Sequence, residues 1–530
     1  MAVTRRAFVR GGVAAGAVLL GGPRLAGAAV GGMDPTDHFG TSRVSRLFPG
    51  TFLAHADLHN HSLLSDGSGD EDDAFASMRA HGLDIAALTD HSTLNWGAPS
   101  PCFEAECRAV ACIDEAAWQK MGVLAQSADE PEAFVALRGF EWSSPSLGHV
   151  NVWFTETWID PLHTGGLGTG ENAEEFLHDE IPEIGPIAAD ALVGPQALID
   201  GVARETGAGM ALFYDWLHSP PDRAVVGGGN DGLAGFNHPG REVGRFSRFS
   251  FDDRIADRLV SLEVFNRGED YLFESTETGE LSPVVEALDA GWRVGLIGVS
   301  DNHGTNWGQD AGRGRAGLWV TSLSRNGVRD AMLARRAFAT VVAGLRLDAA
   351  ANGVRMGGVV PAHNPLRIVL DIDGPGLRGK PLSVQLLRPG SGPLPDIAHV
   401  VTATVPGPDS PLIALDVDVG ADPPPWLVVR VSDPSLEPDE RAPEGFASFG
   451  AAVAYASPFF LVPAAAQGQR PSAPAATPTG TAGATAGTAG GTLPATGGSP
   501  PTAAATAAAA AALAARWMSV RRPSPGGHPH

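Results

Sequence analysis

Two histidines, His59 and His61, stand two residues apart at the end of a hydrophobic strand, in the segment DLHNHSLLSDG (57–67). Residues at this spacing on a strand project from the same face, so both imidazoles can hold one metal ion. Asp66 and His91, the latter in TDHS, supply an oxygen and a nitrogen ligand nearby, a mixture that suits zinc, manganese or iron. No packed core needs four such groups at strand ends, so the segment predicts a metal site.

Short apolar strands alternate with amphipathic helices between about residues 50 and 345. The predicted strands are residues 52–58, 85–89, 134–140, 149–154, 209–214, 259–265 and 294–299. The predicted helices are residues 71–81, 195–206, 282–290 and 327–336. This alternation indicates an α/β protein with a parallel sheet closed into a barrel, whose chemistry gathers at the C-terminal ends of the strands.

Further residues of ligand type follow later strands. They are Glu141 and His149 in GFEWSSPSLGHVNVWF, His238 in GFNHPG, Glu263 in VSLEVFN, and Asp301 and His303 in IGVSDNHG. Most of them lie at or just beyond the end of a strand, so all can converge on one end of a barrel. Glu263 has two open interpretations, a group that orients a ligand or one that faces substrate. Asp90 is expected to orient a ligand, and His55 to lie on the strand surface.

The ordered segments HxH, TDH, GxE, NHP and SDxH resemble the PHP (polymerase and histidinol phosphatase) family over about residues 50 to 345. The resemblance implies a distorted (β/α)7 barrel with two or three divalent metals, which are zinc, manganese or iron. Carried over by position, the first metal is held by His59, His61, Glu141 and Asp301; Glu141 bridges to a second, completed by His149 and His238; and Asp66, His91 and His303 hold a third.

A cluster of divalent metals predicts hydrolysis of a small-molecule ester, because such ions lower the pKa of bound water and neutralise charge on a phosphoryl or acyl oxygen. A phosphate ester is the first expectation, with metal-bound water as the nucleophile. Arg241, Arg245 and Arg267 are candidates to clamp phosphate, and the alternative for each is a solvated surface position.

The export signal, the C-terminal β-domain and the segment RRAFAT (335–340) resemble the secreted, stand-alone branch of that family. Some relatives in that branch are assigned carbamate-ester or amide hydrolysis, so hydrolysis of a carbamate, amide or carboxyl ester on the same metals is the alternative activity. A non-catalytic, wall-attached binding protein is the alternative of another class.

The N-terminus, TRRAFVR followed by a short apolar run and AGA, predicts a twin-arginine signal peptide over residues 1–28, and therefore export by the twin-arginine translocase. The net charge of −23 argues against a nucleic acid or an anionic membrane as partner. Cys102, Cys107 and Cys112 lie close together, and two of them can pair in an oxidising compartment.

The pattern changes after residue 345. Residues 346–463 show short strands separated by Gly/Pro turns, which predicts a small β-sandwich. Residues 464–492 have the Ala/Thr/Pro/Gly composition of a disordered linker. LPATG at 493–497, with the Ala run and arginines up to residue 530, resembles a cell-wall sorting signal cleaved by sortase; the alternative is a disordered tail.

Overall fold

The computed structural model describes residues 42–92, 113, 115–144, 147–159, 161, 209–223, 227–240 and 245–464. Several predictions concern residues outside these ranges. They are the signal peptide, the three cysteines, the helix at 195–206, Arg241, the linker and the sorting signal. In the part of the chain that is described, no helix is both long and apolar enough to cross a membrane.

The N-terminal unit carries the first ten strands. They are β1 (Phe52–Asp57), β2 (Ile85–Leu88), β3 (Val135–Ser144), β4 (Gly148–Trp153), β5 (Leu233–Phe236), β6 (Leu259–Asn266), β7 (Glu269–Asp270), β8 (Gly295–Val299), β9 (Arg315–Val320) and β10 (Ala337–Thr340). Its right-handed helices are α1 (Glu71–Ala80), α2 (Glu115–Ala128), α3 (Ala211–His218), α4 (Pro283–Asp289) and α5 (Arg325–Leu333). Residues Arg245–Phe249 form a short turn with positive φ throughout.

The regular elements of the C-terminal unit are almost all strands. Its strands are β11 (Arg346–Ala351), β12 (Val354–Arg355), β13 (Val359–Ala362), β14 (Leu366–Asp373), β15 (Pro381–Arg388), β16 (Asp396–Thr404), β17 (Ile413–Val417), β18 (Trp426–Asp433), β19 (Ala451–Ala456) and β20 (Phe459–Pro463). One short helix, α6 (Glu444–Ala447), precedes β19.

Helix α1 shows how the local sequence sets an element's limits. Asp70 caps its N-terminus by accepting a hydrogen bond from the backbone N–H of Asp72, and the acidic first turn complements the helix dipole. Its buried face, which includes Phe75 and Met78, packs into the hydrophobic core. The chain leaves the helix through Gly82, whose φ of 82° is the left-handed conformation usual just after a helix.

The N-terminal strands form a mixed sheet with many parallel pairs. Strand β1 pairs in parallel with β2 and β2 with β3, while β5, β6 and β8 form a second parallel run. The antiparallel strand β4 joins β3 to β5. Just beyond β8, Asn302 bridges to Asn60 and accepts a hydrogen bond of 2.9 Å from the backbone N–H of His61. The ends of β1 and β8 therefore meet, which is consistent with a barrel-like α/β fold.

The strand predicted at residues 209–214 is wrong, because this segment is the start of helix α3 (Ala211–His218). Phe213, Trp216 and Leu217 are buried there at the i, i+3, i+4 spacing of one helix face. The run of apolar residues is short, and such a run fits a buried strand or a buried helix equally well. The other six predicted strands of this region are present as β1, β2, β3, β4, β6 and β8.

The predicted boundary at residue 345 does not interrupt the hydrogen bonding. Strand β10 pairs with β9 on one side and with β19 on the other, so one sheet runs from the N-terminal unit into the C-terminal unit. A separate four-stranded sheet has the order β12-β11-β14-β17. Its inward side chains, such as Leu347 and Leu370, share a hydrophobic cluster with Val384 and Val429 of the larger sheet.

A buried polar network joins the two units. Asp270 at the end of β7 accepts a 2.7 Å hydrogen bond from the Tyr455 hydroxyl of β19. The Arg430 guanidinium of β18 donates to the same hydroxyl oxygen at 3.1 Å and to Gln385 at 2.7 Å. Burial raises the pKa of Asp270 from 3.8 to about 6, although Arg430 and Tyr455 act in the opposite direction and nearby Asp439 adds to the rise. The interface therefore holds a carboxyl group whose charge changes in the mildly acidic range.

We expect Asp270→Asn to remove a pH dependence of stability. Because the folded-state pKa lies above the unfolded value, the folded chain binds more protons, so the wild type loses stability as pH rises from about 4 to about 6. The difference in the free energy of unfolding between variant and wild type should shift by up to about 3 kcal/mol over that window. Urea unfolding at pH 4 and pH 7 measures it, and a difference that does not vary with pH would contradict the assignment.

Candidate metal centre

The nine predicted ligands meet at one end of the N-terminal sheet. His59 and His61 follow β1, Asp66 lies in the turn after them, His91 follows β2, Glu141 lies in β3, His149 lies in β4, His238 follows β5, and Asp301 and His303 follow β8. The distances among their donor atoms define two neighbouring groups, one around Asp66 and one around Glu141.

The first group surrounds Asp66. Its Oδ1 atom lies 3.4 Å from His91 Nε2 and 3.2 Å from His303 Nε2. It lies 4.0 Å from His61 Nδ1, and one donor atom from each of these four residues lies within 4.8 Å of the others. Ligands held about 2.1 Å from one ion stand about 3.4 Å apart in tetrahedral geometry, so these spacings suit a single cation.

The second group surrounds Glu141, whose two oxygens face several imidazoles. Oε1 lies 3.2 Å from His59 Nε2, from His149 Nδ1 and from His238 Nε2. Oε2 lies 2.7 Å from His91 Nδ1. A fully buried carboxylate that faces this many imidazoles is the arrangement expected of a bridging ligand.

Asp301 stands beside the two histidines that follow β1. Its Oδ1 atom lies 3.6 Å from His59 Nε2 and 3.4 Å from His61 Nε2, while the two imidazole nitrogens are 3.0 Å apart. These three residues and Glu141 are the set predicted for the first metal, and the structure brings them together.

Two of the predicted ligands face both groups at once, which spacing in the sequence did not indicate. His61 presents Nε2 to the Glu141 side and Nδ1 to Asp66, and His91 likewise faces Glu141 through Nδ1 and Asp66 through Nε2. Both histidines therefore stand between the two groups. The division of the nine ligands among individual ions stays a prediction.

The donor atoms fit divalent cations. Among the described residues, the buried atoms His61 Nδ1 and His91 Nε2, which both face Asp66, have no hydrogen-bond partner. An unsatisfied buried polar atom is rare in a folded protein, and one metal ion in the Asp66 group would satisfy both. Imidazole and carboxylate donors together suit zinc, manganese or iron.

The charges of the site favour the ligand forms of Glu141 and His61, while nearby carboxylates raise the pKa values of His59, His91 and His303. Burial opposes ionisation of Glu141, but the imidazoles of His59, His91 and His149 hold the pKa of its carboxyl well below the usual range. Burial and the neighbouring His303 and His91 lower the pKa of His61 well below its usual value. A charged carboxylate beside a neutral imidazole is the state that binds a cation.

Glu263 orients His59. It is fully buried, and its Oε1 atom lies 2.8 Å from His59 Nδ1. Its Oε2 atom accepts hydrogen bonds from the backbone N–H of His238 at 2.7 Å and from Asn266 at 2.8 Å. A proton held on His59 Nδ1 leaves Nε2 directed at Glu141, as in the carboxylate–histidine pairs of metal sites. Of the two interpretations open for Glu263, the geometry favours the orienting role.

Two residues that sequence reasoning missed hold the ligands in place. Asn237 donates a 2.7 Å hydrogen bond to Glu141 Oε1, and the Ser143 hydroxyl lies 2.6 Å from His91 Nδ1. Both adjoin predicted ligands, Asn237 beside His238 and Ser143 two residues after Glu141, so the i, i+2 strand spacing was an available signal for the second.

Asp90 holds the turn between His61 and Asp66. It accepts hydrogen bonds from the Ser65 hydroxyl at 2.6 Å and from the Ser62 backbone and hydroxyl at 2.7 and 2.9 Å. It therefore orients the ligand-bearing turn. The expectation that His55 lies on the strand surface is wrong, because the structure buries it completely.

The three arginines predicted to bind phosphate lie in different surroundings. Arg267 reaches the cluster: its Nε and Nη2 atoms each lie 3.0 Å from an oxygen of Asp301, and Nη2 lies 2.9 Å from His303 Nδ1. Arg245 is engaged elsewhere, with its guanidinium buried 3.0 Å from Glu280 and 3.2 Å from Glu286. Arg241 lies outside the described residues.

The cluster is open on one side. The side chains of His149, His303 and Arg267 are 18%, 25% and 33% exposed, whereas those of His59, His61 and Glu141 are fully buried. These three residues are therefore the solvent-exposed members of the described cluster, and Arg267 is the cation among them.

Comparisons with known proteins found similarity only to solved structures, at low sequence identity. No protein-family profile and no curated protein matches the sequence. A two-domain protein from Bacteroides vulgatus that contains a predicted PHP-like metal-dependent phosphoesterase is 13% identical, covers 81% of this chain and 100% of its own, and has a TM-score of 0.35.

Two further solved structures each cover 47% of this chain and 88% of their own. A putative metal-dependent phosphoesterase from Bifidobacterium adolescentis is 16% identical with a TM-score of 0.22. An amidohydrolase from Chromobacterium violaceum, solved with bound sulfate and no metal, is 17% identical with a TM-score of 0.23. The case for function therefore rests on the geometry of the site.

We expect Glu141→Gln to reduce the metal content of the purified protein by at least one ion per chain. The amide keeps the size of the carboxylate but removes the charge that faces the surrounding imidazoles. Elemental analysis after dialysis against zinc or manganese measures the content. Glu130→Gln, at an exposed residue paired with Arg79, is the matched control and should keep the wild-type content.

Glu263→Gln should weaken metal affinity without abolishing binding. Because Glu263 fixes the tautomer of His59 and is not itself among the predicted ligands, its loss should lower affinity by about 10- to 100-fold. Competition with a metal indicator dye measures the dissociation constant. An affinity equal to that of the wild type would refute the orienting role.

Proposed function

We propose that this chain is a metal-dependent hydrolase of the PHP type, and that it acts on phosphate esters. The observation that carries the proposal is the buried Glu141 carboxylate, whose two oxygens face four histidines within 3.2 Å, beside a second group of donors around Asp66. A purely structural metal site needs four ligands and leaves no coordination position open. Nine donors in two adjoining groups exceed that need.

Two or three divalent ions would be held by the nine residues of the cluster. Such ions lower the pKa of bound water and neutralise charge on an oxygen of the substrate. The chain itself supplies a fixed frame, because Glu263 and Asn237 orient His59 and Glu141 before any substrate arrives. Preorganised groups need no rearrangement during the reaction, which is the main source of their effect on rate.

Arg267 favours an anionic substrate. Its guanidinium lies on the exposed side of the cluster, where Nε and Nη2 contact Asp301 and His303, and its positive charge attracts the oxygens of a phosphate. A carbamate, amide or carboxyl ester gives such a cation less to bind. We therefore rank phosphate-ester hydrolysis first and retain hydrolysis of those neutral bonds as the alternative activity of the same metals.

We propose a distorted (β/α)7 barrel followed by a β-sandwich as the finer description of the fold. The meeting of β1 and β8 at Asn60 and Asn302 supports a closed ring, and the apolar cluster shared by two sheets supports the sandwich. We also propose that the protein is exported by the twin-arginine translocase. The order of parts in residues 1–28 supports this, and LPATG supports attachment to the cell wall by sortase.

The first experiment is hydrolysis by the full-length chain of p-nitrophenyl phosphate, bis-p-nitrophenyl phosphate and a p-nitrophenyl carboxylic ester. We expect turnover of at least one phosphate substrate that is lost with a chelator, restored by zinc, manganese or iron, and reduced at least about 100-fold in His59→Ala. Arg367→Ala, at an exposed ion pair of the C-terminal unit, should retain wild-type rates.

Each other outcome has a defined meaning. Metal-dependent turnover of the carboxylic ester alone would favour the alternative activity. If the metal-loaded protein hydrolyses none of the three substrates, the result would contradict the hydrolase proposal and favour the wall-attached binding protein.

A further inference from the structure

Arg267 stands at the tip of a tight hairpin. Strand β7 turns back on the end of β6, where Asn266 pairs with Glu269, so Arg267 and Gly268 alone form the loop. Their φ angles are 54° and 86°, and hairpin loops with two positive φ angles favour Asn or Gly at the first position. A long side chain is unfavourable in this left-handed region and persists where the surrounding structure enforces it.

The N-terminal unit holds one side of the hairpin. Asn266 donates a 2.8 Å hydrogen bond to Glu263, and the backbone N–H of Gly268 donates to the carbonyl of Arg313 at 2.8 Å. These contacts fix the start of the turn and its tip. They do not reach β7, which leaves the hairpin in the direction of the C-terminal unit.

The C-terminal unit holds the other side. Asp270, which pairs with Phe265 across the hairpin, accepts the hydrogen bond of the buried Tyr455 hydroxyl at 2.7 Å. The Arg441 guanidinium donates to the Asp270 carbonyl at 3.1 Å and pairs with Glu274, four residues further along the chain. These partners come from β19 and from the segment between β18 and α6.

Nearby contacts make this attachment rigid. Asp439 accepts hydrogen bonds from Arg441 Nε at 2.9 Å and Nη2 at 2.8 Å, which fixes the direction of its guanidinium. Phe446 of α6 packs edge-on against Phe273 with their ring centres 5.4 Å apart. Charged, polar and aromatic contacts from the C-terminal unit therefore fix the position of residues 270–274.

We propose that the C-terminal unit is a positioning element for Arg267, and that it acts by holding the hairpin at Asp270 through Tyr455. Asp270 lies three positions after Arg267, and the guanidinium of Arg267 contacts Asp301 and His303 on the open side of the cluster. The orientation of the substrate-facing cation thus depends on a hydroxyl group of the other unit. This role rests on the proposed function only where it concerns substrate; the mechanical coupling of Tyr455 to the hairpin stands on the contacts alone.

Tyr455→Phe tests the coupling because it removes a single hydroxyl and keeps the ring packing. We expect KM for the phosphate substrate to rise about three- to tenfold, because the hairpin loses the hydrogen bond that holds Asp270, with kcat within about twofold of the wild type and metal content unchanged. In an Arg267→Ala background, the same substitution should change KM by less than about 1.5-fold, because the group that it positions is absent.

Amide hydrogen exchange tests the same coupling without a substrate. Amides of residues 265–270 should exchange faster in Tyr455→Phe than in the wild type, whereas those of β1 and β3 should not change. Arg367→Ala alters the surface of the same unit at the exposed pair with Asp416 and should move neither exchange nor KM.

Two results would overturn the proposal: unchanged exchange in residues 265–270, or equal effects of Tyr455→Phe on KM with and without Arg267. A wild type that turns over no substrate would refute the proposed function instead. The exchange arm would still decide whether the C-terminal unit holds the hairpin.

Discussion

The burial of Glu141 among imidazoles is the constraint on which the rest of the metal centre depends. A carboxylate removed completely from water is strongly disfavoured unless positive charge or hydrogen bonds replace its hydration. Here Asn237 and four histidines surround it, and burial of those histidines is in turn unfavourable without the carboxylate or a metal. The ends of β1, β2, β3, β4 and β5 are therefore tied to one another by charge as well as by sheet hydrogen bonds.

Carboxylates that are not themselves predicted ligands hold the metal-binding side chains in place. Asp90 holds the turn that carries Asp66, and Glu263 holds both His59 and the backbone of His238. The oxygens of Asp90 and Glu263 accept hydrogen bonds from a neighbouring turn or ligand, which restricts the movement of residues 62–65, His59 and His238. Rigid placement of ligands before metal arrives is what gives a site its geometry and its selectivity.

The features of this arrangement that depend on local spacing could be predicted from the sequence. His59 and His61 share a strand face, Asp301 and His303 repeat that spacing, and each ligand follows an apolar run, so convergence at one sheet end could be predicted. The sharing of His61 and His91 between two groups could not, because it depends on ring orientation. The helix α3 was mistaken for a strand since its apolar run fits either period. Tyr455 and Asp270, which are far apart in the sequence, carried no signal at all.

The continuity of the sheet gives the C-terminal unit a physical reason to matter for the metal centre. Strand β10 hydrogen-bonds to β9 and to β19, and β19 carries Tyr455, so the unit cannot shift as a body without breaking a sheet that also contains β1. The same strand β1 leads into His59 and His61. A displacement at Tyr455 would therefore be transmitted by two routes, the hairpin at Arg267 and the ladder to β1. The hairpin is the less constrained route, because the two-residue strand β7 pairs with β6 alone among the described strands, whereas β1 is paired with both β2 and β9. A defect at Tyr455 should therefore affect substrate before it affects metal.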